Sequence, residues 1–198
     1  MTRLRVPRLV FLLSDRRGAS VVEFAIVALP AIAIMCGLFD LGYRQYVATQ
    51  VQDALDRAAR RVTVGPNTTS AQLTAMVKDS VSGIAKTATV IVVPTSYGKF
   101  QQVSKAEPIT TDTVPLGTYN SGDCFTDINS NGIWDADAGR AGTGGSDDVV
   151  LYTATVTYPE IVPMSKLMGW SAVTKLTATT MLKNQPYASQ AEPVTICN

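Results

Sequence analysis

The 198-residue chain carries 17 basic and 16 acidic side chains, a formal charge of +1, which gives room for one domain behind an anchor and no cationic surplus for nucleic acid. Histidine is absent, so His-dependent triads and most catalytic zinc sites are excluded; no enzyme is expected, because Asp, Glu and Cys do not cluster as a catalytic pair would. Charge is also uneven: five arginines and one aspartate fall in residues 1–18, and taking them from the totals of 17 and 16 leaves 12 basic and 15 acidic side chains, a balance of −3.

The first element is an apolar run. Phe24 to Phe39 is uncharged over about 16 residues, and with Val21, Val22 and Leu41 it reaches the roughly 17 to 25 needed to cross a bilayer, giving a span over about 21–43. Arg3, Arg5, Arg8, Arg16 and Arg17 precede it and Asp40 follows it, so the N-terminus is expected in the cytoplasm and the rest outside. Ala31-Ile-Ala33 offers the small-x-small pattern of a cleaved signal peptide, but the sequence beyond Ala33 is still membrane-grade and Glu23 interrupts the region before it. An ionised carboxylate at Glu23 costs on the order of a few kcal/mol unless it is protonated, snorkels or meets a cation.

Gly18-Ala19-Ser20-Val21-Val22-Glu23-Phe24 resembles the processing site of type IV prepilins, in which a basic leader ends in Gly and Glu stands fifth in the mature chain. Gly-Ala-x-x-Val-Glu-Phe-Ala leading into an apolar segment with a central Pro, here Pro30, is similar to the TadE-like minor pseudopilins of the tight-adherence (Flp) pilus system. The likeness covers residues 16–43. It implies a leader over 1–18, cut by prepilin peptidase between Gly18 and Ala19. It also implies a single-pass protein of the bacterial inner membrane with a periplasmic, pilin-like domain. Glycine lets a protease draw the scissile backbone into an extended form at little steric cost. Cleavage would free an ammonium at Ala19, one turn from Glu23, and in a stack of helices the carboxylate of one subunit could pair with the amine of its neighbour. A plain signal anchor whose Glu23 snorkels to the headgroups is the alternative.

Beyond the span, Val47, Val51, Ala54, Leu55, Ala58, Ala59 and Val62 recur at helical spacing, and acid precedes base four residues on at Asp53/Arg57 and Asp56/Arg60. Gly65-Pro66 stops the pattern, so one rod of roughly 70 Å is expected over residues 19–64, bent but not broken at Pro30. Residues 65–198 then form an exported domain. A second helix is expected from Thr69 to about Gly83, opened by the capping box Thr69-x-x-Gln72, with Leu73, Met76, Val77, Val81 and Ile84 on one face. Ala88 to Val93 reads as a strand ended by Pro94, and Tyr97 to Gly122 as loop with an edge strand near Phe100 to Val103. Val149–Tyr158 and Ala172–Lys183 alternate cleanly and are strands; residues 159–170 between them are expected to form a loop with a helical turn. The ending Asn184-Gln185-Pro186-Tyr187 is similar to the Asn-Glu-Pro-aromatic tail of TadE-like chains, with Gln185 in place of the acid. The fold class is α+β: a long transmembrane and amphipathic helix packed on a small, mainly antiparallel sheet.

Two features of the domain bear chemistry. Asp127, Asn129, Asn131, the Ile133 carbonyl and Asp135 occupy positions 1, 3, 5, 7 and 9 of an EF-hand-type calcium loop, with Gly132 at the sharp turn. Position 12 is Ala138, so Asp137, Asp147 or Asp148 would have to complete the shell; an ordinary metal-free Asx turn is the alternative. Cys36 lies in the span, leaving Cys124 and Cys197 as an even pair in an oxidising compartment, where a bridge closing about 74 residues would contribute roughly 4 kcal/mol. Two buried thiols are the alternative. A modest-affinity structural Ca2+ ordering residues 123–148 is therefore expected. The glycines of residues 139–145 lack the flanks of a phosphate-binding loop.

The expected function is that of a minor pilin-like subunit acting in assembly, priming or anchoring of an adhesive pilus. Its partners would be membrane lipid, other pilins through the N-terminal helix with Glu23 and Phe24 as the assembly and charge-pairing residues, prepilin peptidase and the assembly platform. The rival is a permanently tethered, calcium-dependent binding module that never joins a fibre.

Overall fold

The computed structural model describes residues 18–64, 69–161, 169, 171–185 and 192–197. The leader, the Gly65-Pro66 stop, most of the loop after Pro159 and the Pro186-Tyr187 tail lie outside the described residues. The first helix, α1, is Ala19–Val64, continuous through Pro30. The expected rod is there. Proline removes one intrahelical bond, that of the Ile26 carbonyl, and the helix tolerates it.

Among the described residues, only one half of α1 has a packing partner. Val47, Val51, Leu55 and Ala59 are fully buried, with Ala54, Ala58 and Val62 nearly so, which is the stripe that the sequence periodicity marks. They pack on the second helix, α2 (Ser70–Ser82), and on a four-stranded antiparallel sheet. α2 begins as the capping box requires, with the Thr69 hydroxyl accepting the Gln72 N–H and the Gln72 side chain accepting the Thr69 N–H. Leu73, Val77 and Val81 are buried, while Met76 and Ile84 pack at the margin. On the exposed side Asp53 pairs with Arg57 at 2.7 Å, and Asp56 accepts from Gln52.

The sheet runs β4-β1-β5-β6, with β1 Thr89–Tyr97, β4 Arg140–Ala141, β5 Val149–Pro159 and β6 Val173–Lys183. The two alternating segments are neighbours, paired from Val149↔Lys183 to Pro159↔Val173. Pro94 does not end β1, contrary to expectation. It pairs with Tyr152, and its carbonyl accepts the Gly142 N–H on the β4 side. A strand residue's N–H and C=O point the same way, so the missing donor faces the edge, where the β1–β4 ladder covers only Thr95 and Ser96. The edge strand expected near Phe100–Val103 is instead a short 3-10 turn, Phe100–Gln102.

A second, three-stranded antiparallel sheet, unforeseen in the sequence, is built from β2 (Ile109–Thr111), β3 (Cys124–Asp127) and β7 (Val194–Cys197), in the order β2-β3-β7. Cys124 lies opposite Cys197 in the β3–β7 register, and the two form a disulfide. Phe125 is fully buried, edge-on to Tyr119, and Tyr119 stacks on Trp134. Beside the bridge, Asp123 is fully buried and accepts from the Thr113 N–H at 2.7 Å, the Thr113 hydroxyl at 2.8 Å and the Asn120 N–H at 2.9 Å. Burial alone would raise its pKa, but these hydrogen bonds outweigh it and hold the carboxyl below its ordinary value.

Two outcomes follow from buried polar groups. A carboxyl depressed in the folded state contributes stability that is whole above the unfolded pKa of about 3.9 and is lost as pH falls through the lower folded value. Acid titration of the unfolding midpoint should therefore show a loss below about pH 4 that Asp123→Asn reduces; identical acid limbs would contradict the assignment. Tyr152 is fully buried, its hydroxyl has no hydrogen-bond partner among the described residues, and burial pushes its pKa up to about 12. Relieving an unsatisfied buried hydroxyl recovers desolvation free energy, so Tyr152→Phe should be neutral or raise stability by about 1 kcal/mol in denaturant melts. A loss above about 1 kcal/mol would reveal a missed partner.

Candidate functional site

The half of α1 from Ala19 to about Gly42 is apolar, long enough to cross a membrane, with a mean hydropathy of 2.4 in its most apolar stretch and none of that stretch buried within the chain. Phe24 is 73% exposed and Leu29 71%. Burying each such side chain is worth about 1.5–3 kcal/mol, so the segment strongly favours an apolar surrounding that the described residues do not supply. Ala25, Ala28, Ala31, Ala33 and Gly37 keep it thin, which permits close helix approach in lipid. Gly18 precedes the helix, and its carbonyl accepts the Val22 N–H; beyond its chain neighbours, no atom of the described residues lies within 4 Å of where a Cβ would stand. Ala19 is the first helical residue, and Glu23 is exposed one turn later, on the same face.

At the other end of the molecule lies the Asx-rich loop. The Asp127 carboxylate accepts the N–H of Asn131 at 3.2 Å and of Gly132 at 2.9 Å, Asn129 Oδ1 accepts the Asn131 N–H, and Asn131 Oδ1 accepts the Ile133 N–H. Gly132 takes a φ of 82°, the left-handed conformation that the sharp turn needs. The amide nitrogens of Asn129 and Asn131 both donate to Asp135 Oδ2 at 2.6 Å. Asp127, Asn129, Asn131 and Asp135 are thus brought together, whereas the Ile133 side chain is exposed and Ala138 is buried at position 12.

The carboxylates expected to complete a shell are engaged elsewhere. Asp137 accepts from the Tyr97 hydroxyl and the Gly139 N–H, Asp147 pairs with Lys183 at 2.7 Å, and Asp148 accepts the Gly145 N–H. Among the described residues no group of three His, Cys, Asp or Glu side chains is placed to hold a metal. The residue that organises the loop is Glu107, which sequence reasoning missed. It is 2% exposed and accepts the N–H groups of Ile128 at 2.7 Å, Asn129 at 3.4 Å and Asp135 at 3.2 Å, while the Trp134 indole donates to its backbone carbonyl. Distributing a carboxylate over several backbone donors is how a buried charge is tolerated without a cation. A lone Glu before Pro108 in a polar stretch gives no spacing signal.

The register fixes where these two features stand. The Tyr43 hydroxyl donates to the Ile84 carbonyl, and the Tyr43 ring lies 5.8 Å from that of Tyr158 near the end of β5, whereas Gln52 reaches Thr179 further along β6. The start of β1 and the end of β5 are therefore level with the top of the apolar half, and the far end of β1 lies about 25 Å beyond. A cleft at that far end is lined by Ser96 and Tyr97 together with Asn129 and Ser130 of the loop. The loop is held at the end of the domain remote from the apolar helix.

Residues 18–60 match the family model described as TadE-like protein. No curated protein and no solved structure matches the chain. The matched stretch begins at the glycine before α1 and ends within its buried half, so it spans the apolar segment and most of the stripe that anchors the domain. The family match and the bare apolar helix coincide: over residues 18–60 the chain is similar to TadE-like proteins.

Proposed function

We propose that the protein is a minor pilin-like subunit, held in the bacterial inner membrane by α1 with its N-terminus cytoplasmic and its domain periplasmic. Prepilin peptidase trims it between Gly18 and Ala19. It then acts in assembly, priming or anchoring of an adhesive pilus, through helix packing against other pilins at the assembly platform and not by catalysis. The observation that carries this reading is the exposed, small-residue, apolar half of α1, which coincides with the TadE-like match and has Glu23 one turn from Ala19.

The electrostatic argument gives Glu23 its part. A carboxylate at the mouth of an apolar helix is costly, and a freed amine on a neighbouring subunit compensates it. Mass spectrometry of the membrane-extracted protein should find an N-terminus at Ala19; one at Met1 would remove processing from the account. Glu23→Leu should leave membrane insertion intact and reduce pilus assembly at least tenfold, read as fibre yield. Wild-type yield with that variant would favour a tether that never joins a fibre.

The second reading, a tethered calcium-dependent binding module, is supported by the ordered Asx loop at the remote end of the domain. Asp127 and Asp135 would supply the charge and Asn129, Asn131 and the Ile133 carbonyl the remaining oxygens, with the two asparagine amides turned over. A hard cation takes six to eight oxygens. With Ala138 at position 12 and Asp137 on Tyr97, this shell is short of that number, so any affinity is modest. Thermal melting of the full chain in detergent should rise by several degrees between excess chelator and millimolar Ca2+; superimposable melts would reduce the loop to a metal-free turn.

A further inference from the structure

We infer that the end of the domain carrying the Ile84–Lys86 and Glu160–Ile161 loops rests on the surface of the same bilayer that α1 crosses, so that the domain is docked on lipid and not held off it on a free stalk. The inference rests on the membrane-anchor reading of α1 and goes beyond it, since an anchor by itself leaves the domain's distance from the membrane open.

The geometry begins at Tyr43. The apolar half of α1 ends there, and the domain's contacts with the helix begin there: Tyr43 packs against the core, its hydroxyl donates to the Ile84 carbonyl at 3.1 Å, and its ring meets Tyr158 edge-on. No length of bare helix separates the span from the domain. The loops level with Tyr43 must then lie at headgroup depth, because a helix rises only about 1.5 Å per residue and the interfacial zone beyond the hydrocarbon is several ångströms deep.

The composition of this end suits that position. Ile161 is 63% exposed, and Val173, the partner of Pro159 in the β5–β6 ladder, is half exposed. Arg44 and Lys86 are exposed nearby, cations able to meet lipid phosphates, while Tyr43 and Tyr158 supply the aromatic rings that settle at membrane interfaces. Glu160 and Asp40 offset those cations, so contact is driven by apolar insertion more than by net charge. A shallow concavity lined by Tyr43, Ile84, Lys86, Tyr158 and Ile161 opens at this same end.

The test uses the full chain with Cys36→Ser, reconstituted in vesicles of phosphatidylethanolamine and phosphatidylglycerol, with one nitroxide label at a time on Ile161→Cys, Val114→Cys or Leu29→Cys. Val114 is 86% exposed on the loop before Asp123, in the part of the domain built around the second sheet. Collisional relaxation by a water-soluble nickel chelate should be at least threefold weaker at residue 161 than at residue 114, with oxygen favoured at 161. Equal nickel accessibility at 161 and 114, with residue 29 still shielded, would overturn the docking while leaving the anchor in place. Nickel access at residue 29 as well would overturn the anchor and the docking together.

Discussion

Everything else in this molecule depends on α1 serving two surroundings at once. From Val47 to Val62 one face of the helix is closed over by α2 and the four-stranded sheet, whereas none of the most apolar stretch of its first half is buried against the described residues. Because the same rigid element does both, the core fixes the direction in which the apolar half leaves the domain. A flexible join at Tyr43 would uncouple them; instead Tyr43 is hydrogen-bonded to the Ile84 carbonyl and packed edge-on against Tyr158, and the helix runs through without a break.

That coupling gives the domain a defined polarity. The strands of the larger sheet run along the helix, so one end of the sheet stays level with the apolar half of α1 and the other carries the second sheet, the disulfide and the Asx loop away from it. The outer structure contains the buried carboxylates Asp123 and Glu107 alongside its apolar contacts. Asp123 closes the segment ahead of Cys124, Glu107 gathers backbone donors beneath the loop, and the Cys124–Cys197 bridge ties the last strand to β3. Phe125, Ala138 and the Tyr119–Trp134 stack supply apolar packing there. A small sheet with so little core gains much from a covalent closure.

How much of this was legible in the sequence follows from the range over which each signal acts. The rod, the capping box of α2 and the two alternating strands are local patterns, and they appear within a residue or so of their expected bounds. The pairing of Cys124 with Cys197 followed from counting. The second sheet escaped because β2, β3 and β7 are only three or four residues long and find their partners across a large sequence separation. Pro94 misled for a different reason. Proline breaks a ladder only on the side its nitrogen faces, and which side that is depends on neighbours that one strand does not reveal. Glu107 was invisible because its function is set by what folds over it. The shell expected around Asp127 needed one of Asp137, Asp147 or Asp148 to complete it, and sequence does not show that Tyr97, Lys183 and the Gly145 amide engage them.

The division of α1 into an inward-facing half and a half that needs an outside partner is tested most directly by fractionation with and without the first half. The full chain should stay with membranes through an alkaline carbonate wash, and a chain beginning at Tyr43 should be soluble, monomeric and cooperatively folded. Release of the full chain by carbonate, or a truncated chain that fails to fold, would contradict the account.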